Sequence, residues 1–210
     1  MRQDTLEALR YFSDFSHEES FVLLPGRGAV MVSAPHAVVQ TRNGGLKQAE
    51  RYTGMLCLLL NRRYGVPCIY KARHMQDDAN HDAQSPYRDA LCEHIQHSGA
   101  RCVLDLHQLA PRRAMALCIG TGHGRNLNGF TDAPMRICRI FERHALTPVT
   151  VDDPFAASAP YTVSATVARM GVPALQLELN TRFLLEGYPD EQFENVLAAL
   201  HEAVLALQAC

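Results

Sequence analysis

Three predicted strands of the chain each end in a side chain that could do chemistry. The run VMVSAPH ends in His36, the run CVLDLH ends in His107, and the run ALQLELN carries Glu178 close to its end. Ligands of open α/β sheets gather at the carboxyl ends of the strands. If these three strands are parallel neighbours, the two imidazoles and the carboxylate converge at one edge of the sheet.

Two imidazoles and a carboxylate are the usual protein ligands of a catalytic zinc ion, which leaves its fourth position to water. The ion lowers the pKa of that water to about 7. A further carboxylate nearby can accept the proton and pass it to a leaving amine. We therefore predict that His36, Glu50 and His107 bind one zinc ion and that Glu178 is the general base. Another divalent metal in place of zinc is an open alternative.

Each of these residues also has a simpler interpretation. A histidine that follows a proline can be a polar strand end and nothing more, and Glu50 can be a first-turn carboxylate favoured by the helix dipole. Glu178 is harder to explain without a site, because a carboxylate in a strongly apolar run needs a metal, a cation or a proton. Asp105 shares a strand face with His107, and it could orient an imidazole or cap a neighbouring element.

The elements that must position these residues follow from alternating helical and strand patterns, which predict a sheet covered by helices. A first helix is predicted at about residues 5–15, and two strands joined by a Gly-Arg-Gly turn read as a plausible hairpin. Later helices are predicted in AERYTGMLCLLLNRRYG, from Ser85-Pro86 onward, and in DEQFENVLAALHEAVLALQ. The polar run RHMQDDANHDAQ has no periodicity and is predicted to be a surface loop. One domain spanning residues 1–210 is expected.

Composition narrows the possible partners and the location. The 210 residues are 47% apolar with a net charge of −2, which predicts a packed globular domain and makes nucleic acid and anionic membranes poor partners. The longest apolar runs, such as MLCLLL, are too short to span a membrane. The start of the chain lacks the apolar core of a signal peptide. Seven cysteines without a CxxC spacing predict reduced thiols and a cytoplasmic location. The oligomeric state is left open.

Taken together, APH, DLH and ALQLELN resemble, in order and spacing, the N-formylglutamate amidohydrolase family, part of a larger group with the zinc-carboxypeptidase-like fold. The stretch PALQLELNTRFLLEG also resembles the glutamate-bearing strand of zinc carboxypeptidases, and DLH occupies the place of their second zinc histidine. The resemblance covers roughly residues 32–187. It implies a three-layer α/β fold with a mixed, mostly parallel central sheet, and a zinc-dependent hydrolase acting on an amide.

The sequence departs from these relatives in the carboxylate ligand. Zinc carboxypeptidases carry a tight His-x-x-Glu pair, whereas His36 is followed here by Ala-Val-Val. Glu50, at the start of the next predicted helix, must then supply the carboxylate. A non-catalytic member of the fold that binds a metabolite or a partner is the main alternative to an enzyme, and a thiol-based enzyme is a weaker one.

The substrate-binding motifs of the resembled family are also changed. Its Pro-His-Ser-Gly reads Pro-His-Ala-Val here, and DDANHD keeps only the Asp and the Asn of Asp-Pro-Asn-Arg. Asn80, Arg88 and Arg42 are the candidates for binding a substrate carboxylate, since a guanidinium suits bidentate binding. Arg88 can equally be a plain helix-surface arginine. The predicted substrate is a small N-acyl amino acid, such as N-formylglutamate, or a short peptide bearing a carboxylate.

Overall fold

The computed structural model describes residues 2–184 and 190–208. The strands are, in chain order, β1 Phe21–Leu24, β2 Val30–Ala34, β3 Gln40–Arg42, β4 Gly45–Lys47, β5 Cys68–Lys71, β6 Cys102–Leu109, β7 Leu117–Gly120, β8 Val149–Val151 and β9 Ala174–Asn180. Seven of them form one mixed sheet in the order β1-β5-β2-β6-β9-β7-β8, and β3 and β4 form a separate two-stranded hairpin. Residues 185–187, at the end of the stretch that carries the family resemblance, lie outside the described residues.

Helices cover both faces of the sheet. They are α1 Gln3–Tyr11, α2 Arg51–Tyr64, α3 Pro86–Ser98, α4 Ala133–Arg143, α5 Val163–Ala168 and α6 Asp190–Gln208. One buried apolar cluster joins one sheet face to α1, α2, α4 and α6. A second, smaller cluster joins the other face to α3 and α5. This three-layer α/β arrangement confirms the predicted fold class.

The three central strands β2, β6 and β9 are adjacent and parallel, which is the condition for their end residues to converge. Ser33 of β2 lies opposite Asp105 of β6, and His107 of β6 lies opposite Glu178 of β9. Because side chains alternate between the two faces of a strand, Asp105 and His107 share the face covered by α3 and α5. The carboxyl ends of these strands therefore bring the predicted chemical residues to one edge of the sheet.

Local signals in the sequence start and stop the helices as expected. Ser85 caps α3 by accepting a hydrogen bond from the backbone N–H of Arg88, and Pro86 occupies the first helical position. Helix α2 ends at Gly65, whose φ of 70° is the left-handed conformation that favours glycine. The structure ends α1 at Tyr11, short of the predicted Phe15. No helix among residues 2–184 and 190–208 is long and apolar enough to cross a membrane.

The predicted hairpin between β1 and β2 is wrong. Strand β5 lies between them, pairing antiparallel with β1 and parallel with β2. The Gly-Arg-Gly connection instead runs along the end of α2, where Arg27 donates its N–H to the carbonyl of Gly65 at 2.7 Å. Gly26 lies so close that an added Cβ would be 2.3 Å from both the Gly65 oxygen and the Pro67 nitrogen. The turn glycine therefore serves close packing and not a tight hairpin.

Candidate metal centre

The chain brings Glu50 to His36 by folding the intervening residues into the β3–β4 hairpin. Its turn is formed by Asn43 and Gly44, both with positive φ, as a two-residue Asn-Gly turn requires. The backbone N–H of Glu50 then donates to the carbonyl oxygen of His36 at 2.8 Å. Glu50 occupies the N-cap position of α2, and its side chain makes no capping hydrogen bond. Its carboxylate instead faces Nδ1 of His36 and Nδ1 of His107 at the strand ends.

His36, Glu50 and His107 form one compact group of potential metal ligands. Nδ1 of His36 lies 3.2 Å from Oε1 of Glu50, and Nδ1 of His107 lies 3.2 Å from Oε2. One ligand atom from each of the three residues lies within 4.8 Å of the others. Both histidines are 2% exposed, so solvent does not screen the charges strongly.

The outer nitrogens of both rings are held by buried carboxylates. Nε2 of His36 lies 2.8 Å from Oδ1 of Asp78, and Nε2 of His107 lies 3.0 Å from Oδ2 of Asp105. A carboxylate accepts and cannot donate, and each ring has a carboxylate at both of its nitrogens. When the outer carboxylates take the Nε2 protons, which is the arrangement of metal-binding histidines, the Nδ1 lone pairs of the neutral rings face the Glu50 carboxylate. Such opposed acceptors are unfavourable unless a proton or a metal cation lies between them.

The Nδ1–Oε distances are close to the separation of zinc ligands. Nitrogen and oxygen ligands at about 2.0–2.2 Å from a tetrahedral ion are about 3.3–3.6 Å apart, and each Nδ1 atom lies 3.2 Å from a different oxygen of Glu50. The outer carboxylates are themselves hydrogen-bonded, as is typical of metal-binding histidines. Asp78 accepts from Nε of Arg42 at 2.7 Å, and Asp105 accepts from the Ser33 hydroxyl at 2.9 Å.

The pKa values of the group show that it favours positive charge between its carboxylates. Burial lowers the pKa of His36, but Glu50 and Asp78 outweigh that effect and raise it above the ordinary value. Burial also lowers the pKa of His107, whereas Asp105 and Glu50 raise it well above the usual range. Burial raises the pKa of Glu50, but the attraction of His36 and His107 leaves it well below normal. A dication would supply the same charge without the protons.

Glu178 lies on β9 beside this group and is 8% exposed. Burial raises the pKa of Glu178 to about 7; the charge of Glu50 adds to that effect and the charge of His107 opposes it. Gln176 Nε2 donates to Oε1 of Glu178 at 2.9 Å. A carboxyl group with this pKa can accept or release a proton near neutral pH, which is the property that a general acid-base needs.

Arg88, predicted either to bind a substrate carboxylate or to lie on the helix surface, is placed inside the domain. It is 4% exposed, and its guanidinium donates to the carbonyl oxygens of Ala79, Asp82, Ala83 and Tyr161 at 2.5–3.1 Å. A buried guanidinium that already donates to four carbonyl oxygens has no free face for a ligand. Arg88 therefore holds the predicted loop against the segment that precedes α5.

The other two predicted substrate residues lie at the site. Asn80 is joined to protein groups on both sides of its amide: Oδ1 accepts from the N–H of Val163 at 2.7 Å, and Nδ2 lies 3.4 Å from Oε1 of Gln176. Arg42 uses Nε for Asp78, and its side chain is 30% exposed. Arg42 therefore holds Asp78 while part of its side chain stays open to solvent.

Sequence reasoning missed Asp78 as the partner of His36. The only signal was the pair of adjacent carboxylates in DDAN, and nothing local distinguishes the two. In the structure Asp77 pairs with Lys71 at 2.7 Å, whereas Asp78 is fully buried against His36 and Arg42. Asp105, for which the sequence also allowed the role of capping a neighbouring element, is the hydrogen-bond partner of His107 Nε2.

No protein-family model and no curated protein matches this chain. Solved structures match over nearly its whole length. A bacteriophage poly-gamma-glutamate hydrolase matches with a TM-score of 0.61 and 14% identity, covering 96% of this chain and 95% of that one. The zinc-free apo form of YndL matches with a TM-score of 0.58 and 16% identity, covering 90% and 92%. Succinylglutamate desuccinylase from Chromobacterium violaceum matches with a TM-score of 0.53 and 13% identity, covering 96% and 77%. The fold is zinc-carboxypeptidase-like.

Proposed function

We propose that this chain is a zinc-dependent hydrolase that cleaves an amide bond of a small substrate bearing a carboxylate. The main observation behind this proposal is that Nδ1 of His36 and Nδ1 of His107, both buried, each lie 3.2 Å from an oxygen of the Glu50 carboxylate. Zinc in such a site would lower the pKa of a water molecule and polarise a carbonyl group. The similar folds of zinc-associated and amide-cleaving proteins support the proposal.

The residues of the chain divide the work as follows. His36, Glu50 and His107 hold the ion, while Asp78 and Asp105 fix the ring tautomers that direct Nδ1 inward. Glu178 accepts the proton of the attacking water and returns it to the leaving amine. Burial raises the pKa of Glu178, which makes its carboxylate a stronger base for that proton than an ordinary exposed glutamate.

The substrate carboxylate is assigned to Arg42. Its Nε holds Asp78, and its partly exposed guanidinium has further donors for a ligand. N-formylglutamate, suggested by the sequence resemblance, is one candidate substrate. Two proteins of similar fold are named for poly-gamma-glutamate and succinylglutamate, which makes acylated and gamma-linked glutamates the further candidates.

Elemental analysis and a substrate panel test this proposal. Purified protein should hold about one zinc ion per chain, and His107→Ala should lose it. His97→Ala, which alters an exposed histidine on α3, is the matched control and should retain zinc. The panel contains N-formyl-, N-acetyl- and N-succinyl-glutamate together with gamma-glutamyl peptides. Glu178→Gln should keep the metal and lose turnover. Native protein that neither holds nor takes up zinc would refute the enzyme and favour a non-catalytic binding protein.

A further inference from the structure

Two side-chain amides link the start of α5 to Glu178. The N–H of Val163 donates to Oδ1 of Asn80 at 2.7 Å, Nδ2 of Asn80 lies 3.4 Å from Oε1 of Gln176, and Nε2 of Gln176 donates to Oε1 of Glu178 at 2.9 Å. We propose that this amide relay orients the Glu178 carboxylate, which makes Asn80 and Gln176 positioning residues and not substrate ligands. The inference rests on the proposed role of Glu178 as the general base.

The direction of every hydrogen bond in the relay is determined by its first donor. The backbone N–H of Val163 can only donate, so the Asn80 atom that faces it is the oxygen, and Nδ2 must point the other way. There Nδ2 lies 3.4 Å from both Oε1 of Gln176 and Nε2 of His107. In the ring tautomer that leaves Nδ1 for the metal, His107 donates its Nε2 proton to Asp105 and has no lone pair on that atom. The Asn80 proton therefore goes to Gln176.

Gln176 can in turn take only one orientation. Its oxygen accepts from Asn80, so its Nε2 faces Glu178 and donates to Oε1. The reversed amide would place two donors, Nε2 of Gln176 and Nδ2 of Asn80, against each other at a side chain that is only 5% exposed. The relay thus occupies one carboxylate oxygen and leaves the other for proton transfer.

Arg88 joins the two backbone segments that carry the Asn80 and Val163 ends of the relay. Its Nη1 donates to the carbonyl of Ala79, next to Asn80, at 2.6 Å and to the carbonyl of Tyr161, two residues before Val163, at 2.8 Å. One buried guanidinium therefore ties the loop that carries Asn80 to the segment that leads into α5. This geometry gives Arg88 a structural task at the same site.

The relay can be tested without a substrate in the full-length, zinc-loaded protein. The side-chain amide signals of Gln176 are assigned in ¹⁵N-labelled protein by their loss in Gln176→Leu. Asn80→Asp keeps the acceptor for Val163 but removes the donor to Gln176, and Asn80→Ala removes both without adding charge. We expect either change to shift the Gln176 signals and to speed their exchange with solvent about tenfold. Asn126→Asp alters a buried asparagine bonded to Ala157 and should change neither. Unaltered Gln176 signals in both Asn80 variants would overturn the inference.

Kinetics separate this inference from the proposed function. On N-formyl-L-glutamate, or on the panel member that wild type hydrolyses, Gln176→Leu and Asn80→Ala should lower kcat by about 10- to 100-fold. KM should change less than about threefold and the zinc content should not change, because neither residue touches the ion or the substrate. If Glu178→Gln is inactive while Gln176→Leu and Asn80→Ala keep the wild-type kcat, the relay is overturned and the general-base role is not. Active Glu178→Gln would overturn the general-base role, and the amide exchange would still decide whether the relay exists.

Discussion

Replacing Glu178 with glutamine should stabilise the metal-free protein as the pH rises. Burial raises the pKa of this carboxyl from the ordinary 4.5 to about 7 in the folded chain. Between these pH values the unfolded chain releases the proton while the folded chain keeps it, so the unfolded state binds fewer protons. The stability that wild type has at low pH is therefore lost as pH rises through the folded pKa. Glutamine cannot ionise and escapes this loss, while its oxygen still accepts from Gln176.

The size of the effect follows from the two pKa values. A pKa that moves from 4.5 to about 7 corresponds to about 3 kcal/mol when complete, of which about 2.5 kcal/mol falls between pH 5 and pH 8. The difference in unfolding free energy between Glu178→Gln and wild type should grow by that amount over this range. Contributions of other titrating groups largely cancel in the difference, since both proteins share them.

Urea unfolding of EDTA-treated wild type and Glu178→Gln at several pH values measures this difference directly, provided that the two m-values agree. Glu93→Gln, on the exposed side of α3, is the matched control for removing a carboxylate. With zinc loaded, the nearby dication favours the carboxylate form, so the pH-dependent part of the difference should shrink. A difference that stays flat from about pH 5 to pH 8 in the metal-free proteins would refute the view that burial keeps Glu178 protonated.

Three further predictions follow from the contacts around the site. Asp78→Asn should weaken zinc binding by about 10- to 100-fold in a chelator competition, because it removes the charge that orients His36; unchanged affinity would contradict that role. Arg42→Ala should raise KM by about tenfold or more with a smaller change in kcat, since a charged hydrogen bond contributes about 1.5–3 kcal/mol; an unchanged KM would exclude Arg42 as the carboxylate site. Arg88→Leu should lower the free energy of unfolding by about 3 kcal/mol, because four carbonyl oxygens, one of them fully buried, lose the donor that joins them. Arg169→Leu, which replaces an exposed arginine, is its control. Equal losses of unfolding free energy in the two variants, measured in urea, would contradict the stabilising role of Arg88.

Much of the fold could be predicted because its signals are local. Alternating apolar residues mark β6 and β9, Ser85-Pro86 marks the start of α3, and Gly65 marks the end of α2. The same patterns place His36, His107 and Glu178 at or near strand ends, where parallel pairing brings them to one edge. Glu178 could be identified from the sequence as a candidate site residue, because an ionised carboxylate in an apolar strand needs a metal, a cation or a proton beside it.

Other features depend on contacts between distant segments, which a linear pattern does not contain. The order of the strands was mispredicted at β1 and β2 because a Gly-Arg-Gly turn is compatible with a hairpin, and only packing against the end of α2 excludes it. For the same reason Arg88 read as a surface or substrate residue, although the carbonyls of two separate segments surround it.

The sequence by itself determined which residue types stand at the strand ends, because periodicity and capping act over a few neighbouring residues. Only the tertiary structure decided which carboxylates face those residues. Glu50 reaches His36 through a hairpin, Asp78 rather than Asp77 holds the outer nitrogen of His36, and Asn80 meets Gln176 across the sheet edge. The partner of a buried polar group is whichever complementary atom the packed chain brings within hydrogen-bonding distance, and that distance is set by the whole fold.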